Sequence, residues 1–325
     1  MNSIPRKMIQ RTEHCFRKRA LVTSSFGSCS FPRNSLYQQH PTCAFSSSSS
    51  VSSRSSNGDD NTRSTLNNSV SSEEVSKFSA MASTWWKVDH NPLISMNPIR
   101  MSFILQQIAN QHKINIEHTS SAYKPLSNLK ALDAGCGGGL LSESLARLGA
   151  NVTAVDPSEE VAKAARIHSM KQNDTKDIDY KGGMSVEELA NMEEYRHSFD
   201  IVCVLEVIEH ATDPKSLMQG ATSLLKQPTD THPGGLLFVS TINRTAKSYA
   251  VAIVGGEYLT QKLPIGTHDW RQFLSPKEVN QLVQNFGMEE VDKKGMILKP
   301  PFWDLKWYLD SNDFDVNWIG SYMHK

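Results

Sequence analysis

The sequence predicts a doubly wound α/β fold on a mostly parallel sheet, and three stretches carry that expectation. Residues 129–134 form a short apolar run that passes directly into Gly135-Cys136-Gly137-Gly138-Gly139. Leu140, Leu141, Leu145 and Leu148 then recur at helical spacing until Gly149 ends the pattern. Residues 152–155 are a second apolar run, closed by Asp156-Pro157, and residues 199–205 are a third, near-continuous one after a polar loop. Strand, glycine loop, helix, strand and acid in that order open a doubly wound sheet. The third run lacks polar alternation, as a central strand covered on both faces should.

The remaining elements fall around this frame. Val75, Phe78, Met81 and Ala82 give residues 73–83 a helical stripe, and Trp85-Trp86 follows. A second helix is expected over residues 98–109, with Pro98 at its start. Residues 178–181 read as a weaker third strand before Gly182-Gly183, with a helix opening at Met184. Asp213-Pro214 caps another helix, residues 236–240 form a further strand, and residues 276–286 a late helix. Between these last two lies an insertion after the fifth strand.

Charge divides the chain in two. The formal net charge is zero, yet residues 1–70 hold nine Lys or Arg against three acids, Glu13, Asp59 and Asp60. The rest carries 25 basic and 31 acidic residues, so its mildly acidic balance excludes general nucleic-acid binding, which needs a basic footprint. Serine fills nine of the eleven positions 46–56. Arg-rich, Ser-rich and acid-poor is the composition of an organellar transit peptide; a disordered tail without function is the alternative. The expected division is therefore residues 1–70 as leader and 71–325 as one domain. Cys15, Cys29 and Cys43 lie in the leader, leaving only Cys136 and Cys203, which is no disulfide framework and suits a reducing compartment. No apolar run reaches the ~18 residues of a membrane-spanning helix.

The glycine spacing separates cofactor classes. A dinucleotide fingerprint needs glycine at the first, third and sixth positions, but the sixth here is Leu140 and the glycines fall at Gly135, Gly137 and Gly139. Asp133, just before the loop, suits a ligand with a cationic amino-acid tail. Asp156 is placed to accept from both hydroxyls of a ribose. S-adenosylmethionine has that tail and no pyrophosphate, so these residues point to a methyltransferase, with a dehydrogenase or a purely structural turn as the alternatives. Met184 and Ser185 are candidate neighbours of the adenine ring or simply a helix start. Cys136 reads as a small loop residue, since no paired His lies near it in sequence.

Glu206-Val207-Ile208-Glu209-His210 follows the central strand at its carboxyl end, where doubly wound sheets bind ligands. If helical, the segment places Glu206, Glu209 and His210 at i, i+3 and i+4 on one face. Two carboxylates and an imidazole suit a divalent cation, Mg²⁺ or similar, with positions left for substrate oxygens. Alternatively Glu206 holds cofactor or backbone, and Glu209 and His210 form an exposed helix start. In the insertion, the mostly apolar residues 248–259 are flanked by Arg244, Lys247 and Lys262. Such a segment suits a membrane interface or a plain helix over the active site.

Together these motifs resemble the ubiquinone (coenzyme Q) biosynthesis O-methyltransferases. The match spans residues 75–325 and rests on Lys77-Phe78-Ser79-Ala80 with Ser83-Thr84-Trp85-Trp86, Met96-Asn97-Pro98-Ile99-Arg100, and the glycine loop. It continues through Leu205 to His210, Ser240-Thr241-Ile242-Asn243-Arg244, Val254-Gly255-Gly256-Glu257-Tyr258, Gly266-Thr267-His268-Asp269-Trp270 and Asp315-Val316-Asn317-Trp318. Three departures stand out: a linker between Trp86 and Asn97 that is shorter than usual, Ile94 where a His is common, and Leu298-Lys299-Pro300 in place of Tyr-Asn-Pro. The resemblance implies a class I, Rossmann-like methyltransferase fold with seven strands. It implies a cofactor set of Arg100, Gly135, Asp156 and Leu205, and a magnesium-type site at Glu206, Glu209 and His210. It further implies a polyprenyl catechol substrate, contact with inner-membrane lipid on the matrix side of the mitochondrion, and a complex with other ubiquinone-biosynthesis proteins. His210 and Glu209 are the expected catalytic residues.

Overall fold

The computed structural model describes residues 69–87, 91–116, 123–259, 266–300 and 305–325. The leader expected over residues 1–70 lies outside these, apart from Ser69 and Val70, and so does Lys262. Ser69 already belongs to the body. It is buried, its N–H donates to Glu187 Oε1 at 3.1 Å, and its carbonyl accepts from the Thr212 backbone and hydroxyl.

Helix α1 (Ser72–Met81) starts where Ser71 accepts from the Glu74 N–H, with Glu73 and Glu74 in the first turn, where the helix dipole favours anions. Helix α2 (Leu93–His112) begins five residues earlier than Pro98, which lies inside it. Burial of Met96, Asn97, Ile99 and Arg100 holds this turn in helical form despite the missing N–H of Pro98. Asn97 Nδ2 donates to Ser144 Oγ at 2.9 Å, tying the same turn to the next helix.

The doubly wound core follows: β1 (Lys130–Ala134), α3 (Leu140–Arg147), β2 (Asn151–Asp156), α4 (Glu159–Ser169), β3 (Asp179–Gly182), α5 (Val186–Asn191), β4 (Ile201–Leu205), α6 (Pro214–Leu224) and β5 (Leu236–Ile242). After β5, the short turn Ala246–Ser248 runs into a wide π-form helix, Tyr249–Leu259, so the insertion is present. Then come α7 (Pro276–Gln284), β6 (Met288–Leu298), β7 (Trp307–Asp310) and β8 (Asn317–His324). The sheet order is β3-β2-β1-β4-β5-β8-β6-β7. Strands β1 to β5 pair in parallel, whereas β5–β8, β8–β6 and β6–β7 are antiparallel. The seven-stranded expectation is thus extended by one among the described residues: β7 pairs with β6 at the edge, and its Trp307 Nε1 donates to Ser95 Oγ of α2 at 3.0 Å.

Strand alternation builds two core layers. Ile201, Cys203 and Leu205 of β4 join one layer with Leu236 and Phe238 of β5. Val202 and Val204 join the other with Leu237 and Val239. Every residue of β4 is buried, as its apolar run requires. Strand β1 lies between β2 and β4, so chain direction along the sheet reverses there. The carboxyl ends of β1, β2 and β4 therefore open on one crevice.

Candidate active site

That crevice is a cavity of about 220 Å³. Arg100, Asp133, Gly135, Gly137, Asp156, Leu205, Glu206, Glu209 and His210 all line it, as do Met184 and Ser185. Gly139 is the exception among the residues expected there. It begins α3 at φ +85°, and a Cβ would fall 2.4 Å from the Tyr180 hydroxyl, so its role is to let the helix start against β3.

Each wall is fixed by local chemistry. Asp133, next to last in β1, is buried, accepts from Ser142 Oγ at 2.5 Å, and has its carboxyl pushed up to about 6 by burial. Asp156 ends β2, and burial raises its carboxyl too, although the N–H groups of Ser158 and Gly137 each donate to it at 2.9 Å. Those bonds hold the glycine loop to the acid. The indole of Trp85 lies on the loop: a Cβ on Gly137 would meet it at 2.1 Å and one on Gly138 at 2.2 Å. Trp86 Nε1 donates to the Gly138 carbonyl at 2.9 Å, and its ring stacks on His168 at 3.7 Å. The double tryptophan thus straps the loop from outside. Burial pushes the thiols of Cys136 and Cys203 well up, consistent with packing and not with a nucleophile.

The segment after β4 is not the helix that the i, i+3, i+4 spacing anticipated. Glu206 adopts φ +56°, and only Ile208–His210 forms a tight 3₁₀ turn. A left-handed conformation costs a non-glycine residue roughly 1–2 kcal/mol and persists only where neighbours hold it. Here the Glu206 N–H donates to the Ser240 carbonyl at 2.9 Å, and its Oε1 accepts from Ser240 Oγ at 2.8 Å. Arg100 Nη2 lies 3.0 Å from the same oxygen, both side chains being nearly buried. The approach is out of hydrogen-bond alignment, so Arg100 keeps Nε and Nη2 without hydrogen-bond partners inside the cavity wall.

Glu209 and His210 contrast with Glu206. Both carboxyl oxygens of Glu209 are buried with no hydrogen-bond partner, although the Thr241 hydroxyl favours the charged form. Burial, reinforced by the Glu206 charge, pushes the Glu209 carboxyl up to about 7. Burial works against a charged His210, but the hydrogen bond to Glu74 and the charges of Glu209, Glu74 and Glu206 outweigh it and raise its pKa. His210 Nδ1 lies 2.8 Å from Glu74 Oε2. Glu206 and His210 therefore already have other partners, and no group of three or more His, Cys, Asp or Glu side chains that could hold a metal ion occurs among the described residues.

Several lining residues were not singled out from sequence. Glu74, Phe78 and Trp85 come from the N-terminal segment, and Thr267 and His268 from the loop after the insertion. The His268 ring centroid is 5.9 Å from that of His210 and 5.9 Å from that of Phe273. The double Trp and Gly-Thr-His-Asp motifs were visible as patterns, but nothing local said that they meet at one cavity.

A family described as a methyltransferase domain matches residues 107–293. A ubiquinone biosynthesis O-methyltransferase from Cereibacter sphaeroides is 42% identical over 248 residues, covering 76% of this chain and 93% of that protein. One from Ruegeria pomeroyi is 41% identical over 254 residues, covering 78% and 95%. The solved magnesium protoporphyrin IX methyltransferase from Synechocystis with bound SAH aligns at a TM-score of 0.47 and 17% identity, over 72% of this chain and 84% of that one. The chain belongs to the ubiquinone biosynthesis O-methyltransferase family and is an S-adenosylmethionine-dependent O-methyltransferase.

Proposed function

We propose that this enzyme methylates a catechol hydroxyl on ring intermediates that carry a polyprenyl tail, the dihydroxybenzoate and demethylubiquinol stages of ubiquinone assembly. The observation that carries the reading is one cavity in which the glycine loop and Asp156 share walls with Glu209 and His210. The first pair suits the cofactor and the second suits an acidic hydroxyl.

Methyl transfer from a sulfonium is an in-line displacement. The phenolic oxygen bonds to the methyl carbon, the carbon–sulfur bond breaks, and S-adenosylhomocysteine leaves. In this reading Asp156 accepts from the ribose hydroxyls, the glycine loop carries the cofactor chain, and Arg100, ion-paired with Glu206 but with Nε and Nη2 free of hydrogen-bond partners, meets the methionyl carboxylate. Leu205 packs beside the cofactor. A phenol of pKa about 10 is mostly protonated near neutrality, so the proton needs an acceptor. His210 is that acceptor at Nε2, because Nδ1 is already engaged; a general base contributes typically ~10²–10⁴-fold. Fixing the reacting atoms in line supplies much of the rest.

A divalent cation at Glu206, Glu209 and His210 enters this reading through the family resemblance; here Glu206 is engaged by Ser240 and Arg100 and His210 by Glu74, so the three side chains do not form a cation site as they stand.

The tail accounts for the insertion. Tyr249, Val251 and Val254 are exposed on the apolar helix, while Ile253 packs with Ile242 and Phe273. No helix among the described residues is long and apolar enough to cross a membrane, so this contact is peripheral in our reading. Arg244 and Lys247 are paired, with Glu278 and with Asp313 and Asp315, so the apolar face contributes more to lipid contact than the flanking charges do. Placement at the mitochondrial inner membrane, matrix side, within a biosynthetic complex, completes the proposal and rests on the leader composition and the family. Mass spectrometry of quinone intermediates in cells lacking the protein tests it. A demethylated polyprenyl catechol should accumulate; an unchanged intermediate pool would contradict the assignment.

A further inference from the structure

We propose that Glu74, on the N-terminal helix, is the positioning residue for His210, an inference that rests on the reading of His210 as the group facing the substrate hydroxyl. Glu74 Oε2 is 2.8 Å from His210 Nδ1, with both side chains largely buried, at 19% and 13% exposure. Glu74 and Phe78 are one helical turn apart on α1 and grip the imidazole together. The Phe78 ring meets His210 edge-on at 5.0 Å and 87°. One residue fixes the ring's rotation and the other its plane.

The hydrogen-bond pattern shows that Glu74 has been drawn away from an ordinary role. Ser71 and Glu74 stand at the N-cap and N3 positions of α1, the spacing of a capping box. At α5 and α7 the box closes, with Glu188 and Glu278 each accepting from the N–H of its own capping serine. At α1 only half forms: Ser71 accepts from the Glu74 N–H, but the Glu74 carboxylate turns into the cavity. Lys77 takes Oε1 at 2.8 Å, which leaves Oε2 to His210. A side chain that gives up its local bond for a partner 136 residues away marks a site built for function.

The consequence for the ring is specific. With Nδ1–H donated to Glu74, the remaining nitrogen, Nε2, carries the lone pair for the substrate side. A carboxylate holding one imidazole nitrogen so that the other can act is the same arrangement whether the imidazole takes a proton or binds a cation. It also makes the segment directly after the leader part of the active site.

The test is a double-mutant cycle on the full chain with a short-tailed polyprenyl dihydroxybenzoate as acceptor. Glu74→Ala should lower kcat about 10–100-fold, with a smaller change in KM, and leave the affinity for S-adenosylhomocysteine within about twofold by calorimetry. In the His210→Gln background it should cause no further loss, because the residue acts through that ring. Losses that multiply in the double variant would overturn the proposal, as would unchanged turnover in Glu74→Ala alongside an impaired His210→Gln. Full activity in His210→Gln would overturn the reading of His210 and this inference with it. Should Glu74→Ala not fold, Glu74→Gln keeps an acceptor and the helix position; at least a threefold loss with the same non-additivity is then expected, and multiplying losses would count against it.

Discussion

Arg100 Nη2 and Glu206 Oε1 lie 3.0 Å apart at the cavity wall, one from helix α2 and the other from the left-handed turn that follows β4. The pair joins the element that covers the crevice to the strand that ends in it. Removing one partner leaves a buried charge uncompensated, which typically costs about 3–5 kcal/mol. Arg100→Met should therefore destabilise strongly and weaken S-adenosylhomocysteine binding. Adding Glu206→Gln should restore the melting temperature but not the affinity, as follows if Arg100 anchors the cofactor's carboxylate in the way proposed. Recovery of both by the double variant would show that Arg100 only neutralises Glu206.

The glycine loop has two distinct reasons for lacking side chains. The three atoms nearest a Cβ on Gly138 all belong to the Trp85 indole, and Gly137, closed by the same ring, is also at φ +53°. Each Ala substitution should overpack the strap and cost roughly 1–3 kcal/mol. Against a Trp85→Ala background, Gly138→Ala should become nearly neutral, while Gly137→Ala keeps the left-handed penalty. Melting temperatures of the five variants, Trp85→Ala included, decide this; equal relief at both positions would refute it.

Glu209 makes stability depend on pH in a direction opposite to most carboxylates. Its folded-state carboxyl is raised from 4.5 to about 7, so the native state holds the proton longer than the unfolded chain does. Native stability then falls as pH rises between these values, and the charged, unpartnered form persists above them. Glu209→Gln should raise the melting temperature at pH 8 by the equivalent of roughly 1–3 kcal/mol, the penalty of an unsatisfied buried group, with the gain fading towards pH 5. A gain that is independent of pH would contradict this.

The exposed apolar face of the insertion should govern lipid contact. Val251→Glu with Val254→Glu is expected to reduce sedimentation with vesicles of mixed neutral and anionic lipid at least several-fold, leaving S-adenosylhomocysteine affinity unchanged. Neutralising Arg244 or Lys247 should matter less, since both charges are spent on acids of the same chain. Vesicle binding that tracks those two charges would reverse this order.

What could be read in the sequence was what local periodicity encodes. The β4 run alternates its side chains between two core layers, and the glycine loop bends where only glycine bends freely, so both were visible as patterns. The start of α2 was not, because Pro98 looks like a first-turn residue and only tertiary burial extends the helix back to Leu93. Glu206 was misjudged for a similar reason. Its φ of +56° is imposed by Ser240, and nothing in a glutamate announces a left-handed turn. Glu74 carried no local signal of its role, because its bond to His210 spans 136 positions. The edge strand β7 is four residues long and half-buried, too short for a periodic signal.

In the proposed function a methyl group passes to a phenolic oxygen in this cavity. The purified chain, given S-adenosylmethionine labelled in its methyl group and a short-tailed polyprenyl catechol, should yield a singly O-methylated ring and an equal amount of S-adenosylhomocysteine, with Asp156→Ala and His210→Gln each strongly impaired. Label transferred only to a tail-less phenol or to an amine, or turnover unaffected by both substitutions, would contradict it.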